Sequence, residues 1–149
     1  MAGAPTALGF AYFATAKFAG YSAYSALLNR TKAVKRAGCK LPAFWTGGLV
    51  RCGIGIVAGV AYASGFWLAM QHVHDIVFVD NYGVQLFFGL LVPVRLAEWL
   101  VFLWLLYRSC QLTAKEKIVP VVGGIAMSFA LDAIGVYGLW YIPGAAWFC

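Results

Sequence analysis

Five ionisable residues, Lys17, Arg51, Arg95, Glu98 and Asp132, interrupt stretches that are otherwise almost wholly apolar. Side chains of these types can pair with one another, hold an anion or a cation, or pass a proton. Arg95 and Glu98 belong to the run Pro93-Val94-Arg95-Leu96-Ala97-Glu98-Trp99. Their spacing of three puts both on one face of a helix. An ionised group near a bilayer centre costs roughly 2.5–3.5 kcal/mol on insertion scales, so five unpaired ones would cost on the order of 12–17 kcal/mol. Most small domains have less stability than that to spare. The five groups are therefore expected to meet.

They do not balance. Lys17, Arg51 and Arg95 supply three positive charges against two negative ones from Glu98 and Asp132. Three resolutions are open: Lys17 sheds its proton on desolvation, an anionic ligand completes the set, or a neighbouring chain donates an acid. Against all three stands a purely structural role, in which the charges only fix which helix packs on which. A lysine near mid-span can also snorkel towards an interface.

The elements that must position these groups follow from composition. The chain of 149 residues is 63% hydrophobic and only 11% charged, with a net charge of +6 and a mean hydropathy of +0.82. Soluble domains carry roughly 25% charged residues, so the composition is that of an integral membrane protein. Four apolar segments, Pro5–Leu28, Leu41–Met70, Tyr82–Tyr107 and Ile118–Ile142, predict an all-α, four-transmembrane-helix bundle with short loops and a single domain. Met1 to Phe10 lacks a basic region and Lys17 interrupts the first run, so that segment is read as retained. The connection 29–40 holds five basic residues and no acid, and 108–117 holds three against Glu116. The intervening one holds Asp75 and Asp80 and no Lys or Arg. The positive-inside rule then puts 29–40 and 108–117 in the cytoplasm and both termini outside, in a bacterial-type inner membrane or a plasma membrane. At ~1.5 Å per residue all five charges lie between about 14 and 21 Å from the cytoplasmic boundary.

Small residues mark the faces that carry the charges. Arg51, Gly55 and Gly59 recur at intervals of four, as do Gly124, Ser128 and Asp132, with Gly135 continuing that face. Such GxxxG-like spacing lets helices approach closely. On the first span Lys17, Gly20, Tyr21, Tyr24 and Leu28 make a similar face, and Pro93 predicts a kink beside Arg95. Trp45 and Tyr107 fall at the predicted cytoplasmic boundary, and Trp67, Tyr82, Trp140, Tyr141 and Trp147 at the outer one. Trp99 and Trp104 lie deeper and are read as packing or lipid-facing residues.

Other chemistry is thinly represented. His72, His74 and Asp75, with Asp80 nearby, are types that bind Zn or Cu, but a lone His-x-His favours a solvated loop. Neither histidine is mid-span, as paired haem ligands would be, and no metal or cofactor is expected. Cys39, Cys52, Cys110 and Cys149 suggest no disulfide framework, since Cys39 and Cys110 fall on the side assigned as reducing. No phosphate loop, nucleophile elbow or metalloprotease motif occurs, so no catalytic residue is assigned. Topology explains the basic connections better than nucleic acid does, so no nucleic-acid partner is expected, and contact with anionic headgroups is a minor addition. The pattern suits a small transport or channel-type protein for an anionic or proton-coupled solute, acting as a homo-oligomer or beside a partner membrane subunit. An accessory subunit of a larger complex is the next expectation, and an enzyme acting on a lipidic substrate the third.

Overall fold

Every regular element is a helix among the residues that the computed structural model describes, which are 7–36, 41–72, 76–110 and 112–138. In chain order these are α1 (Ala7–Arg30), α2 (Lys32–Arg36), α3 (Phe44–Gln71), α4 (Ile76–Tyr107) and α5 (Ala114–Gly138), with a 3₁₀ turn over Arg108–Cys110. Three stretches are long and apolar enough to cross a membrane: Phe44–Gln71, Gln85–Cys110 and Ala114–Gly135. The remaining long helix, α1, is less apolar because Lys17, Tyr21, Ser22 and Ser25 lie along it, and these are among its buried residues. Its outward surface still carries Leu8, Phe10, Phe18 and Leu27.

Burial follows helical period on each long helix. Gly9, Phe13, Lys17, Tyr21, Ser25 and Leu28 make the inner stripe of α1. On α4 it runs through Leu91, Arg95, Glu98, Trp99, Phe102 and Tyr107, and on α5 through Val121, Gly124, Ser128, Leu131, Asp132 and Gly135. The buried positions of α3 are Gly47, Gly48, Arg51, Gly55 and Gly59, so one guanidinium supplies nearly all the side-chain volume there. Leucine, valine and tryptophan instead cover the outside: Val57, Val60, Trp67, Trp104, Val119 and Val122 are all more than half exposed. Charge inside and apolar bulk outside is the reverse of a soluble domain. It is the arrangement a hydrocarbon solvent selects.

Two expected helix boundaries move. Asp80 and Asn81 were expected in a loop, but α4 begins at Ile76, leaving a shorter connection after His72. A polar pair near a helix start costs little when water is close, so residue type alone does not mark that boundary. At the other end α5 starts at Ala114, where Thr113 and Glu116 form a reciprocal cap. Glu116 accepts from the Thr113 N–H at 3.0 Å and from its hydroxyl at 2.9 Å, while the Glu116 N–H donates back at 3.3 Å. The stretches 37–40 and 139–149, with Cys39, Trp140, Tyr141, Trp147 and Cys149, lie outside the described residues.

The close approach of α1 to α3 is made by Gly47 and Gly48. A Cβ on Gly47 would run into Ser25, and one on Gly48 into Ser22 and the Phe18 carbonyl. Gly55, the first of the GxxxG-like pair expected to do this, does not: a Cβ there would meet Arg51 Nη1 at 3.3 Å, and no contact with a neighbouring helix accompanies it. The glycine there makes room for a guanidinium rather than for a helix.

The two basic connections lie at one end. Val34 of α2 is buried in one cluster with Leu28, Tyr107, Cys110 and Leu112, and Arg36 reaches Glu116 at 3.9 Å on the surface. Tyr107, expected among headgroups, is buried here and ties helices together. Its hydroxyl donates to Asn29 Oδ1 at 2.9 Å, and the Asn29 amide donates to the Pro42 carbonyl at 3.0 Å. Cys110 is disulfide-bonded, its partner lying outside the described residues, whereas reduced thiols were expected. That expectation came from the charge of the loops, which says nothing about which sulfurs the fold brings together.

Candidate functional site

The four long helices each contribute to one buried chain of alternating charge. Lys17 Nζ of α1 lies 2.7 Å from Asp132 Oδ1 of α5. The other oxygen of Asp132 accepts from Arg95 Nη2 of α4 at 2.8 Å. Arg95 Nη1 donates to Glu98 Oε2 at 3.0 Å within α4, and the same oxygen accepts from Arg51 Nη2 of α3 at 2.5 Å. The order is therefore Lys17, Asp132, Arg95, Glu98, Arg51. Each carboxylate lies between two cations, and none of the five residues is more than 6% exposed. The residues expected to meet are in contact, which sequence-derived depth alone left open.

Three further residues complete the arrangement, and sequence reasoning assigned them no such part. Ser128 Oγ accepts from Arg51 Nη2 at 3.2 Å, from the Trp99 indole N–H at 3.1 Å and from the Tyr21 hydroxyl at 3.3 Å. The Arg51 guanidinium stands 4.9 Å from the ring centres of both Tyr21 and Trp99. Those quadrupoles stabilise a cation away from water. Trp99 is fully buried, with Tyr24 and Phe102 edge-on to it at 5.2 and 5.1 Å. A Cβ on Gly124 would enter its indole ring, so that glycine is what admits the tryptophan. Ser128 and Gly124 were visible as small residues at an interval of four. What they make room for was not.

Lys17 has a similar aromatic companion: Phe13, whose ring centre is 4.3 Å from Nζ. An apolar cleft of about 340 Å³ opens between α1 and α3 beside this lysine, walled by Phe13, Phe18, Tyr21, Leu49 and Ile56. A void of about 10 Å³ between α3 and α4 adjoins Arg95, Glu98, Tyr62 and Leu91. That is about the room one water molecule needs.

At Arg51, Nη2 carries both hydrogen bonds, and neither Nε nor Nη1 has an acceptor among the described residues. Buried guanidinium N–H groups are costly to leave unmatched. Ammonium and guanidinium groups of this kind can neutralise and orient an anion.

Of the metal candidates, His72 is not brought to this centre. His72 is exposed at the end of α3, its backbone N–H donating to the Ala69 carbonyl at 3.1 Å. His74 and Asp75 lie outside the described residues, and no group of three metal-ligating side chains occurs among the described ones. No protein-family model, curated protein or solved structure matches the chain.

Proposed function

We propose that the chain is a small membrane transport or channel-type protein that moves an anionic or proton-coupled solute past its buried charge layer. One observation carries the reading: three bases and two acids form a single buried chain in which Arg51 keeps N–H groups without an acceptor among the described residues. A network serving only to fix packing gains nothing from buried N–H groups without an acceptor. In this reading Arg51, Arg95 and Lys17 attract the solute, and Glu98 and Asp132 act as exchangeable counter-ions. The helix α1 is the fourth span, its polar stripe turned inward and its apolar side to lipid. Both termini face outward and the connections 29–40 and 108–117 face the cytoplasm of a bacterial-type inner membrane or a plasma membrane. The Cys110 disulfide is the observation that runs against this orientation, since disulfides persist in oxidising compartments.

The test is flux in reconstituted vesicles, with chloride, acetate and a proton gradient as probes. Glu98→Gln and Asp132→Asn keep shape and remove one counter-charge each. Loss of flux in variants that remain folded supports the mechanism, and unchanged flux rejects it.

A second reading has its own support. Beyond Gly59 the stretch of α3 up to Gln71 buries no residue in this chain. A larger partner subunit would cover it, and the protein would then be a non-catalytic accessory subunit, whereas a second copy covering it would leave the transport reading in place. Purification in mild detergent separates the cases: a stoichiometric unrelated partner favours the accessory role.

A further inference from the structure

The cleft between α1 and α3 and the unmatched nitrogens of Arg51 lie on either side of one glycine. Gly55 lines the cleft, and the point where its Cβ would stand is 3.3 Å from Arg51 Nη1. Gly55 has no side chain to stand between the cleft and the guanidinium, which is itself fully buried and not part of the cleft wall. Lys17 and Tyr21 form the adjoining wall, and Tyr21 also lies against the guanidinium. The cleft therefore has a cationic inner end and an apolar body.

Its size and mouth narrow the occupant. About 340 Å³ falls at the lower end of the roughly 300–1,000 Å³ typical of small-molecule sites. That suits a single chain better than a two-chain lipid. Phe10, Leu49 and Ile56 at its mouth are 43%, 53% and 46% exposed, on the surface that the membrane reading gives to lipid. Entry is then sideways, from the bilayer.

We infer that this cleft binds a single-chain anionic amphiphile, with its hydrocarbon tail along Phe13, Leu49 and Ile56 and its carboxylate at Lys17 and Arg51. The bound carboxylate supplies the third negative charge and accepts from the Arg51 N–H groups that have no other acceptor. The inference rests on reading the charge layer as an anion site and names the class of anion.

Competition against tritiated palmitate on the purified full chain in detergent tests it, with unlabelled palmitate and hexadecanol as competitors. The two share a chain and differ in the head group. Palmitate is expected to compete at least tenfold better than hexadecanol, and equal competition would overturn the inference. Gly55→Val fills the gap before Arg51 without altering any charge. It should weaken palmitate at least tenfold and leave hexadecanol within twofold, whereas unchanged palmitate affinity in the folded variant would count against the site. Because that variant risks misfolding, the wild-type Cys52 thiol, which lines the cleft, provides a second readout. Palmitate should slow its alkylation by N-ethylmaleimide, read by mass spectrometry of the Cys52 peptide, and hexadecanol should not. Equal protection by both, or by neither, contradicts the placement of the ligand. If palmitate fails to bind but small-anion flux still depends on Glu98, the amphiphile is wrong and the transport reading stands. If palmitate binds and flux ignores Glu98, the transport mechanism falls and the site stands.

Discussion

The two ends of the α3–α4 pair are built on different principles. Towards the basic connections, α3 presents Gly47, Gly48 and Arg51 to the interior, while α4 presents Arg95, Glu98, Trp99, Phe102 and Tyr107. There directed hydrogen bonds tie the buried charges together, Arg51 Nε and Nη1 excepted, and neighbouring side chains take up the space beside Gly47 and Gly48. Towards the far end the pair touches through Tyr62, Phe66 and Phe87, with ring centres 5.1 to 6.1 Å apart and one hydrogen bond, from the Tyr62 hydroxyl to the Phe87 carbonyl at 2.6 Å. Gly65 and Gly89 have open space where a Cβ would stand. One end is specified by hydrogen bonds and close approach, and the other by loose aromatic contact. Specificity in this chain is concentrated where the charge is.

The contrast can be broken by substitution at either end, with unfolding in detergent as the measurement. Glu98→Ala should do most harm, because it leaves the guanidinium groups of Arg51 and Arg95 without their shared acceptor. A loss of about 3–5 kcal/mol is expected, and a loss below 1 kcal/mol would mean that water already solvates the site. Gly48→Val comes next, since the Phe18 carbonyl against which a Cβ would press belongs to the backbone and cannot turn aside. Overpacking of this kind costs roughly 1–3 kcal/mol. Tyr107→Phe removes the donor to Asn29 and should cost about 0.5–1.5 kcal/mol. Gly65→Ala, at the far end, should be neutral or stabilising by up to about 1 kcal/mol, since a helical glycine is replaced where nothing obstructs. A large loss at Gly65 would show that the far end is packed against another copy, and would erase the difference between the ends.

How much of this was legible beforehand depended on how few solutions each residue type has in hydrocarbon. A mid-span arginine or carboxylate must find a partner, so Lys17, Arg51, Arg95, Glu98 and Asp132 could be grouped from position alone. Tryptophan, serine and tyrosine tolerate lipid, interface and interior alike. The parts played by Trp99, Ser128 and Tyr21 therefore emerge only from contacts. The same ambiguity hid the burial of Tyr107, placed at the boundary by its position and held inside by Asn29. Gly55 shows a third case: its spacing suggested helix packing, and only the fold reveals that an arginine occupies the space. Helix boundaries near water, such as the start of α4 ahead of Asp80, and the pairing of Cys110 are set by tertiary structure and leave little local trace.

Coupling between Arg51 and Glu98 tests the claim that the buried charges act as one unit. In a double-mutant cycle, Arg51→Met, Glu98→Gln and the combined variant are compared by unfolding in detergent. Residues in one such network are expected to show an interaction energy of roughly 1–3 kcal/mol, the double variant losing much less than the sum of the single losses. Losses that simply add would mean that the two side chains do not share a buried contact, and the charge layer would not exist as described.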